Sequence, residues 1–124
     1  PYAALMMGST LVFPGPNLSG PALASILESE QVTMAAGVPT IWKLLYQHLK
    51  FKKHDLNSLN RMVIGGSAAP QSMIENFEKE LGIPILHAWG MTELSPLGTV
   101  SRLTSEMEAW PESKKFKQRA KQGW

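Results

Sequence analysis

An indole, a hydroxyl and a carboxylate lie within five residues of this sequence, at Trp89, Thr92 and Glu93. A flat aromatic ring can stack on a nucleobase, a hydroxyl can bond a phosphate oxygen, and a carboxylate can bind a hard cation such as Mg²⁺. Each residue also has an ordinary structural use, because tryptophan is commonly buried, threonine can cap a turn and glutamate is usually exposed. Their combination nevertheless favours a nucleotide site.

The apolar run before these residues, Ile83–Leu86, predicts a buried strand. We predict that this strand covers Ile83–Trp89, so that the polar residues follow where the chain leaves the sheet. Ligands of open α/β sheets bind at the carboxyl ends of the strands. His87 lies on the same strand, where a histidine is more often a packed core residue than an acid–base catalyst.

A second candidate is the run of small residues Gly65–Ala69, between a predicted strand and a helix that begins at Pro70. Small residues let the backbone approach a flat ligand closely. The free N–H groups at the start of the helix favour an anion or a carbonyl oxygen. The same glycines could form a tight turn without any ligand, and the residues alone do not decide between the two.

Short apolar runs alternate with helical patterns along the chain. Strands are predicted at Thr10–Phe13, Val32–Ala36, Arg61–Ile64 and Ile83–Trp89. Helices are predicted to start near Pro21, Pro39 and Pro70, the last ending at Gly82. This alternation is typical of parallel β/α units. The predicted fold class is therefore α/β, with a mostly parallel sheet of about four strands flanked by helices.

The pattern weakens over residues 104–124, a basic tail that could be mobile. Glu106–Gln118 could form a helix there, but Pro111 interrupts it. The basic residues of this tail are Lys114, Lys115, Lys117, Arg119 and Lys121. Such a run is usually solvent-facing, so we expect no nucleic-acid partner, although nucleic-acid binding by this tail stays an alternative.

Composition sets further limits. A chain of 124 residues forms one domain at most, and its 44% hydrophobic and 18% charged residues predict a folded core. It has no cysteine, which excludes disulfides and thiolate metal sites and fits the cytoplasm, the location we expect. No apolar run approaches the ~20 residues that cross a bilayer, so we expect no transmembrane segment.

Three segments of the sequence resemble motifs of the adenylate-forming, or AMP-binding, enzymes. Trp89–Glu93 resembles their Tyr/Trp-Gly-x-Thr-Glu adenine motif, Gly65–Pro70 their glycine-rich strand–helix junction, and Gly37–Trp42 their Gly-Val-Pro-Thr segment. All three occur in the family's order. The string from Trp89 to Leu103 is most similar to fatty-acid and medium-chain acyl-CoA synthetases, although aryl-acid ligases, amino-acid adenylation domains and luciferases share the motifs.

The resemblance implies roles for particular residues. Nucleotide binding would fall to Gly66, Ser67, Ala68, Ala69, Ala88, Trp89, Gly90, Met91 and Thr92. Thr92 and Glu93 would be catalytic, Thr92 bonding the α-phosphate and Glu93 binding Mg²⁺. The substrate pocket would include Gly37, Val38, Trp42 and His87. The implied cofactors and partners are ATP or AMP, Mg²⁺, coenzyme A and a small-molecule carboxylic acid.

By the same resemblance, residues 1–124 would be a partial AMP-binding domain, an internal piece of the N-terminal domain of a longer acyl-CoA synthetase. That enzyme would activate a fatty or other apolar carboxylic acid as an acyl-adenylate and transfer it to coenzyme A. The family's phosphate loop, its ribose and hinge aspartates and its lid lysine do not appear in this sequence. We therefore expect the piece alone to be almost inactive. A non-catalytic nucleotide-binding or interaction module is the alternative, and the piece could self-associate through open sheet edges.

Overall fold

The computed structural model describes residues 2–123, with side chains described from residue 4 onward. The helices are α1 (Tyr2–Met6), α2 (Gly20–Ser29), α3 (Pro39–Leu49), α4 (Gln71–Leu81) and α5 (Glu112–Arg119). The strands are β1 (Met34–Gly37), β2 (Arg61–Ile64), β3 (Ile85–Gly90) and β4 (Leu97–Ser101). Short 3₁₀ turns occupy Thr92–Leu94 and Met107–Ala109. None of the helices described between residues 2 and 123 could cross a membrane, because none combines sufficient length with sufficient apolarity.

The four strands form one sheet in the order β1-β2-β3-β4. The β1–β2 and β2–β3 pairs are parallel, and the β3–β4 pair is antiparallel. Each parallel pair is joined by a helix, as a right-handed β/α/β crossover requires. The predicted fold class, an α/β fold with a mostly parallel four-stranded sheet flanked by helices, is confirmed.

One face of the sheet carries the hydrophobic core. Met62 and Ile64 of β2 pair with Ile85 and His87 of β3, so these four side chains share a face, and all four are buried. Helices α2, α3, α4 and α5 contribute the other core residues, which are Leu23, Ala24, Leu27, Trp42, Leu45, Ile74, Phe77 and Phe116. Alternate residues of a strand point to opposite faces, so the carboxyl ends of the strands are held by a packed layer on one side.

Two details of the predicted strand pattern are wrong. Residues Thr10–Phe13 have no regular secondary structure, and Phe13 is exposed. A β-branched and aromatic run forms a strand only where a neighbour pairs with its backbone groups, and β1, the outer parallel strand, pairs only with β2. The fourth strand is instead β4, which the sequence pattern did not indicate because Pro96 and Gly98 interrupt the alternation.

The C-terminal segment is attached to the sheet in this structure. Pro111 lies directly before α5, so the predicted helix over Glu106–Gln118 is divided at the proline. Phe116 of α5 enters the core. The Arg119 guanidinium donates to the Glu78 carboxylate of α4 and to the Ile85 carbonyl of β3. These contacts fix the end of α5 against the parallel part of the fold.

Candidate functional site

Three predicted segments meet at the carboxyl edge of the parallel strands. Gly37 ends β1, Gly65 follows β2, and Ala88 lies near the end of β3. The Gly65 N–H donates to the Gly37 carbonyl at 3.1 Å. A Cβ placed on Gly65 would lie 3.5 Å from the Ala88 carbonyl oxygen. The motifs that are distant in the sequence are therefore neighbours in the fold, as the parallel topology requires.

The turn Gly65–Ala69 presents its backbone at this edge. Gly66 has a φ of +80°, a left-handed conformation that favours glycine. A Cβ on Gly66 would lie 3.1 Å from Val38 Cγ1, which places the Val38 side chain beside the turn. Gly66, Ser67 and Ala68 are exposed, whereas Ala69 is buried. The exposed backbone and the Ser67 hydroxyl are accessible to a ligand.

His87 lies behind this turn, on the helix side of the sheet. Its side chain is only 1% exposed. Its Nε2 accepts a hydrogen bond from the Ala69 N–H at 3.2 Å, and its Nδ1 lies 3.1 Å from the Ala120 carbonyl oxygen. A neutral imidazole with its proton on Nδ1 satisfies both contacts at once. The histidine therefore contacts the turn through backbone groups.

Trp89 lies on the exposed side of the strand end. Its side chain is 40% exposed. A Cβ placed on Gly98 of β4 would approach Cε3 and Cζ3 of the indole to 2.9 Å, so the ring lies against that glycine. The β3–β4 pairing shifts between Trp89 and Gly90, and Gly98 is the extra residue on β4. This bulge leaves room for the ring, and sequence reasoning missed Gly98.

The loop between β3 and β4 folds back on its own backbone. The Met91 N–H donates to the Pro96 carbonyl at 2.8 Å. A side chain on Gly90 would overlap the same Pro96 carbonyl group. Ser95 has a φ of +58° and ends the 3₁₀ turn that carries Thr92 and Glu93. Backbone contacts thus shape the loop that presents these two residues.

Thr92 and Glu93 are both exposed on this loop. Within residues 2–123, no group of three His, Cys, Asp or Glu side chains could hold a metal ion. Mg²⁺ in nucleotide sites is bound by one or two carboxylates together with phosphate oxygens and water. The single exposed carboxylate of Glu93 fits a magnesium ion that arrives with its nucleotide, and it does not fit a metal held by protein groups alone.

Trp42 is brought near the edge but faces the core. Its side chain is buried, and its Nε1 donates to the Val63 carbonyl at 3.2 Å. A Cβ on Gly37 would lie 2.8 Å from Cζ2 of the indole, so the ring packs directly against that glycine. Trp42 and His87 therefore support the edge from the helix side, while Val38 and the turn lie at its surface.

A cavity of about 770 Å³ lies elsewhere, near the amino ends of β2 and β3. It is lined by charged residues of both signs, including Arg61, Glu108 and the paired Glu78 and Arg119. None of the predicted site residues lines it. Its mixed charges match no particular ligand class, so the carboxyl edge remains the candidate site.

Two lysines of the basic C-terminal segment are engaged within the fold. Lys115 lies 3.7 Å from the Glu108 carboxylate, and the Lys114 ammonium is 3.6 Å from the centre of the Trp110 ring. Phe116, the aromatic residue within the lysine run, is buried. A nucleic-acid surface combines free positive charge with exposed stacking rings. Here Lys115 is paired with a carboxylate, Lys114 lies on the Trp110 ring, and the Phe116 ring is buried.

A family model described as AMP-binding enzyme matches residues 1–122 of this chain. The 3-methylmercaptopropionyl-CoA ligase of Ruegeria pomeroyi is 46% identical over 123 residues, which are 99% of this chain and 23% of that protein. The medium-chain-fatty-acid–CoA ligase of Ectopseudomonas oleovorans is 44% identical over 115 residues, which are 92% of this chain and 21% of that protein. The chain thus spans less than a quarter of the length of these curated relatives.

The fold is also similar to that of a solved structure, the inhibitor-bound N-terminal domain of FACL13 from Mycobacterium tuberculosis. The TM-score is 0.70 at 23% identity, over 79% of this chain and 24% of the other. Because the sequence identity is only 23%, this similarity supports a shared fold and no shared activity. The fold of this chain therefore resembles part of a much longer domain.

Proposed function

Because this chain belongs to the AMP-binding enzyme family, we propose that it is the part of a longer acyl-CoA ligase that holds the adenylate. Membership in the family confirms the resemblance seen in the sequence. In the proposed reaction, a carboxylate oxygen of the acid attacks the α-phosphorus of ATP and pyrophosphate leaves. The thiolate of coenzyme A then attacks the acyl carbonyl, and AMP leaves as the thioester forms.

The observation that carries this proposal is the adjacency of the Gly65–Ala69 turn and the end of β3. Gly65 lies next to Ala88, and Trp89 follows with a partly exposed ring. We propose that an adenine ring lies between the backbone turn and the indole, because an indole can stack on a base and backbone groups can bond its edge. We assign this role to Gly66, Ser67, Ala68, Ala69, Ala88, Trp89, Gly90 and Met91.

Thr92 and Glu93 are proposed as the catalytic residues. Both are exposed on the loop that begins where β3 ends. The Thr92 hydroxyl would donate to an α-phosphate oxygen, which gains negative charge as the acid attacks. Glu93 would hold the Mg²⁺ that accompanies ATP, and the ion would neutralise charge on the phosphates.

The acid is proposed to lie near Gly37 and Val38. Val38 is 41% exposed and its Cγ1 faces the Gly66 turn, which would meet the acyl carbonyl. Trp42 and His87 form the wall behind these residues. The relatives act on 3-methylmercaptopropionate and on medium-chain fatty acids, as their names state. We therefore propose a fatty or other apolar carboxylic acid as the substrate, and coenzyme A as the acceptor.

The direct test is an assay of the full-length protein that carries this segment. With ATP, Mg²⁺, coenzyme A and a series of apolar acids, we expect acid-dependent pyrophosphate release and thioester formation. Trp89→Leu should lower kcat/KM about 5- to 150-fold, because stacking of a base on an aromatic ring contributes about 1–3 kcal/mol. Thr92→Val and Glu93→Gln should lower kcat by at least about ten-fold, the usual scale for a lost transition-state contact.

Matched controls are available on the exposed surface. Glu30→Gln removes an exposed carboxylate at the end of α2, and Thr104→Val removes an exposed hydroxyl beyond β4. Both variants should keep wild-type activity. Failure of every carboxylic acid to elicit pyrophosphate release would refute the ligase proposal. Equal losses in Glu93→Gln and Glu30→Gln would refute the assigned site.

The 124-residue chain by itself is proposed to bind an acyl-adenylate without forming a thioester. Charge around the transferred phosphate must be preorganised from several sides, and the sequence lacks the family's phosphate loop and lid lysine. Calorimetry with a non-hydrolysable acyl-adenylate analogue should show saturable binding by the chain. Thioester formation by the chain alone would contradict this expectation.

A further inference from the structure

His87 joins two parts of the chain that are otherwise far apart in sequence. Its Nε2 accepts from the Ala69 N–H, in the turn before α4, and its Nδ1 faces the Ala120 carbonyl, directly after α5. The imidazole is almost completely buried, and its two ring nitrogens are both paired with backbone groups. Because the imidazole ring is rigid, it fixes the position of the Ala69 N–H relative to the Ala120 carbonyl.

The Ala120 end of this link is firmly held. Ser101 Oγ donates to the Gln118 carbonyl at 3.3 Å, and the Thr99 hydroxyl donates to the Gln122 carbonyl. Arg119 is paired with Glu78 and bonded to the backbone of β3. Gln118, Arg119 and Gln122, on both sides of Ala120, are therefore bonded to strands of the sheet. These bonds fix the position of the Ala120 carbonyl.

The Ala69 end has few other means of support. Pro70 precedes α4 and provides no side-chain cap, and the exposed residues Gly66–Ala68 lie on the solvent side of the turn. Ala69 precedes the N-cap of α4, so its N–H lies outside the helix, and a buried backbone N–H needs a hydrogen-bond partner. The His87 ring supplies that partner for the buried Ala69 N–H.

We infer that His87 is a positioning residue, which sets the height of the Gly65–Ala69 turn above the sheet by holding Ala69 at a fixed distance from the C-terminal segment. Its consequence for catalysis rests on the proposed function, because the turn is proposed to face the adenine and the acyl carbonyl. Replacement of the ring by an apolar one leaves the buried Ala69 N–H unpaired and removes a partner of the part-buried Ala120 carbonyl. The turn then moves to find other partners, and the adenylate site loses its shape.

Two variants distinguish the loss of the His87 hydrogen bonds from a change in side-chain volume. His87→Phe fills the same space without either bond. His87→Gln keeps one acceptor and one donor on a planar group, so it should restore both contacts. Ile74→Val and Ile74→Ala are matched controls, since Ile74 is fully buried in the same core and its truncation lowers stability while both hydrogen bonds of His87 are kept.

The first readout is hydrogen exchange of the Ala69 amide in the full-length protein. Exchange should be slow in the wild type and in His87→Gln, and at least about ten-fold faster in His87→Phe, the factor expected for a lost buried hydrogen bond. The amide of Met62 serves as the internal reference. Unchanged exchange at Ala69 in His87→Phe would overturn the inference.

The second readout is the KM for ATP, which a purely structural role would not change. We expect it to rise about ten-fold in His87→Phe and to recover in His87→Gln, with the Ile74 variants unchanged at equal melting temperature. An equal rise in the Ile74 variants would assign the effect to stability and overturn the positioning role. Inactivity of the wild type would instead defeat the proposed function, and the exchange result would still decide the role of His87.

A third measurement needs no variant. In a protein labelled with ¹⁵N-histidine, long-range ¹⁵N–¹H correlation identifies which ring nitrogen carries the proton. We expect His87 to be neutral with the proton on Nδ1. A proton on Nε2 is incompatible with acceptance from Ala69 and would overturn the inference even if His87→Phe fails to fold.

Discussion

The carboxyl edge of the sheet and the junction of α2 with α3 are fixed by different kinds of interaction. At the edge, the loop is held by hydrogen bonds between backbone groups. For example, the Met91 N–H donates to the Pro96 carbonyl. At the helix junction, side chains bond side chains. Glu28 Oε2 lies 2.7 Å from His54 Nδ1, and His54 Nε2 lies 3.0 Å from His48 Nε2.

The difference predicts opposite sensitivities. Gly90 leaves no room for a Cβ, and its close contacts are with backbone groups that do not titrate, so the loop after β3 should be sensitive to residue size at that position. The helix junction contains a carboxylate and two imidazoles in one hydrogen-bonded row. Its stability should depend on the ionisation of Glu28, while exposed side chains around it tolerate changes in size.

The largest effect is expected for Gly90→Ala. A Cβ there would overlap the Pro96 carbonyl oxygen and lie 3.1 Å from Leu97 Cα, so the loop backbone would have to move. We expect kcat/KM for adenylate formation to fall by at least about 100-fold, because small displacements of catalytic groups have effects of that size. The control is Gly123→Ala, whose Cβ would lie 3.8 Å from its nearest neighbour. Comparable activity of the two variants would contradict backbone control of this loop.

The adjacent glycines of the turn should differ from each other. Gly66→Ala places a Cβ at a φ of +80° and 3.1 Å from Val38 Cγ1, whereas Gly65→Ala places one in ordinary contact with Ala88. We expect Gly66→Ala to lower the free energy of unfolding by about 1–2 kcal/mol, the cost of a left-handed conformation for an L-residue. Gly65→Ala should change it by less than about 0.5 kcal/mol, as ordinary substitutions do. Urea unfolding measures both, and equal losses would show that the conformation of Gly66 is not the cause.

A smaller effect is expected for Gly98→Ala, because Trp89 is partly exposed and can tilt. A Cβ on Gly98 would press on the indole at 2.9 Å. We expect adenylate-analogue binding to weaken about five-fold, a fraction of the ~1–3 kcal/mol of a stacked base. Calorimetry on the single variants and on the pair with Trp89→Leu tests this. Because the same Cβ would also lie 2.5 Å from Leu94 Cδ1, Gly98→Ala should keep only part of its effect in the Trp89→Leu background. An unchanged five-fold loss there would separate Gly98 from the ring.

The smallest effect concerns pH and the helix junction. The Asp55 backbone N–H, followed by the hydrogen bond with His54, lowers the pKa of Glu28 from its usual 4.5. A carboxylate with a lowered folded-state pKa adds stability above about pH 4.5, and this stability is lost as the pH falls through the folded-state value. Because the Glu28 side chain is 41% exposed, the contribution is small.

Melting temperatures of the wild type and Glu28→Gln should therefore differ slightly at neutral pH and converge in acid. Glu30→Gln, a neighbouring exposed carboxylate, is the control and should leave the pH profile unchanged. A constant difference between the wild type and Glu28→Gln down to about pH 3 would mean that ionisation of Glu28 does not stabilise the junction.

The parallel half of the fold could be predicted from local patterns. Strand β2 lies at Arg61–Ile64, as predicted, and α4 ends at Leu81, directly before the predicted stop Gly82, which has a φ of +68°. The adjacency of the Gly65 turn and Trp89 also followed, because the carboxyl ends of neighbouring parallel strands lie at the same edge. Each of these features depends on residues close together in sequence or on a general rule of topology.

The antiparallel edge could not be predicted in this way. Thr10–Phe13 has a better strand composition than Leu97–Ser101, yet only the latter pairs, because β3 offers it a free edge. The partners of His87, Ala69 and Ala120, are set by the packing of α5 against the sheet.

The sequence by itself determined the β/α order, the family and the chemistry of the residues at the sheet edge, since hydrophobic period and motif spacing are local. Only the tertiary structure decided which strand paired with β3, which way Trp42 and His87 faced, and what held the turn in place. These depend on hydrogen bonds and packing between segments far apart in the sequence, such as His87 and Ala120 at 33 residues, and no local pattern specifies the partner.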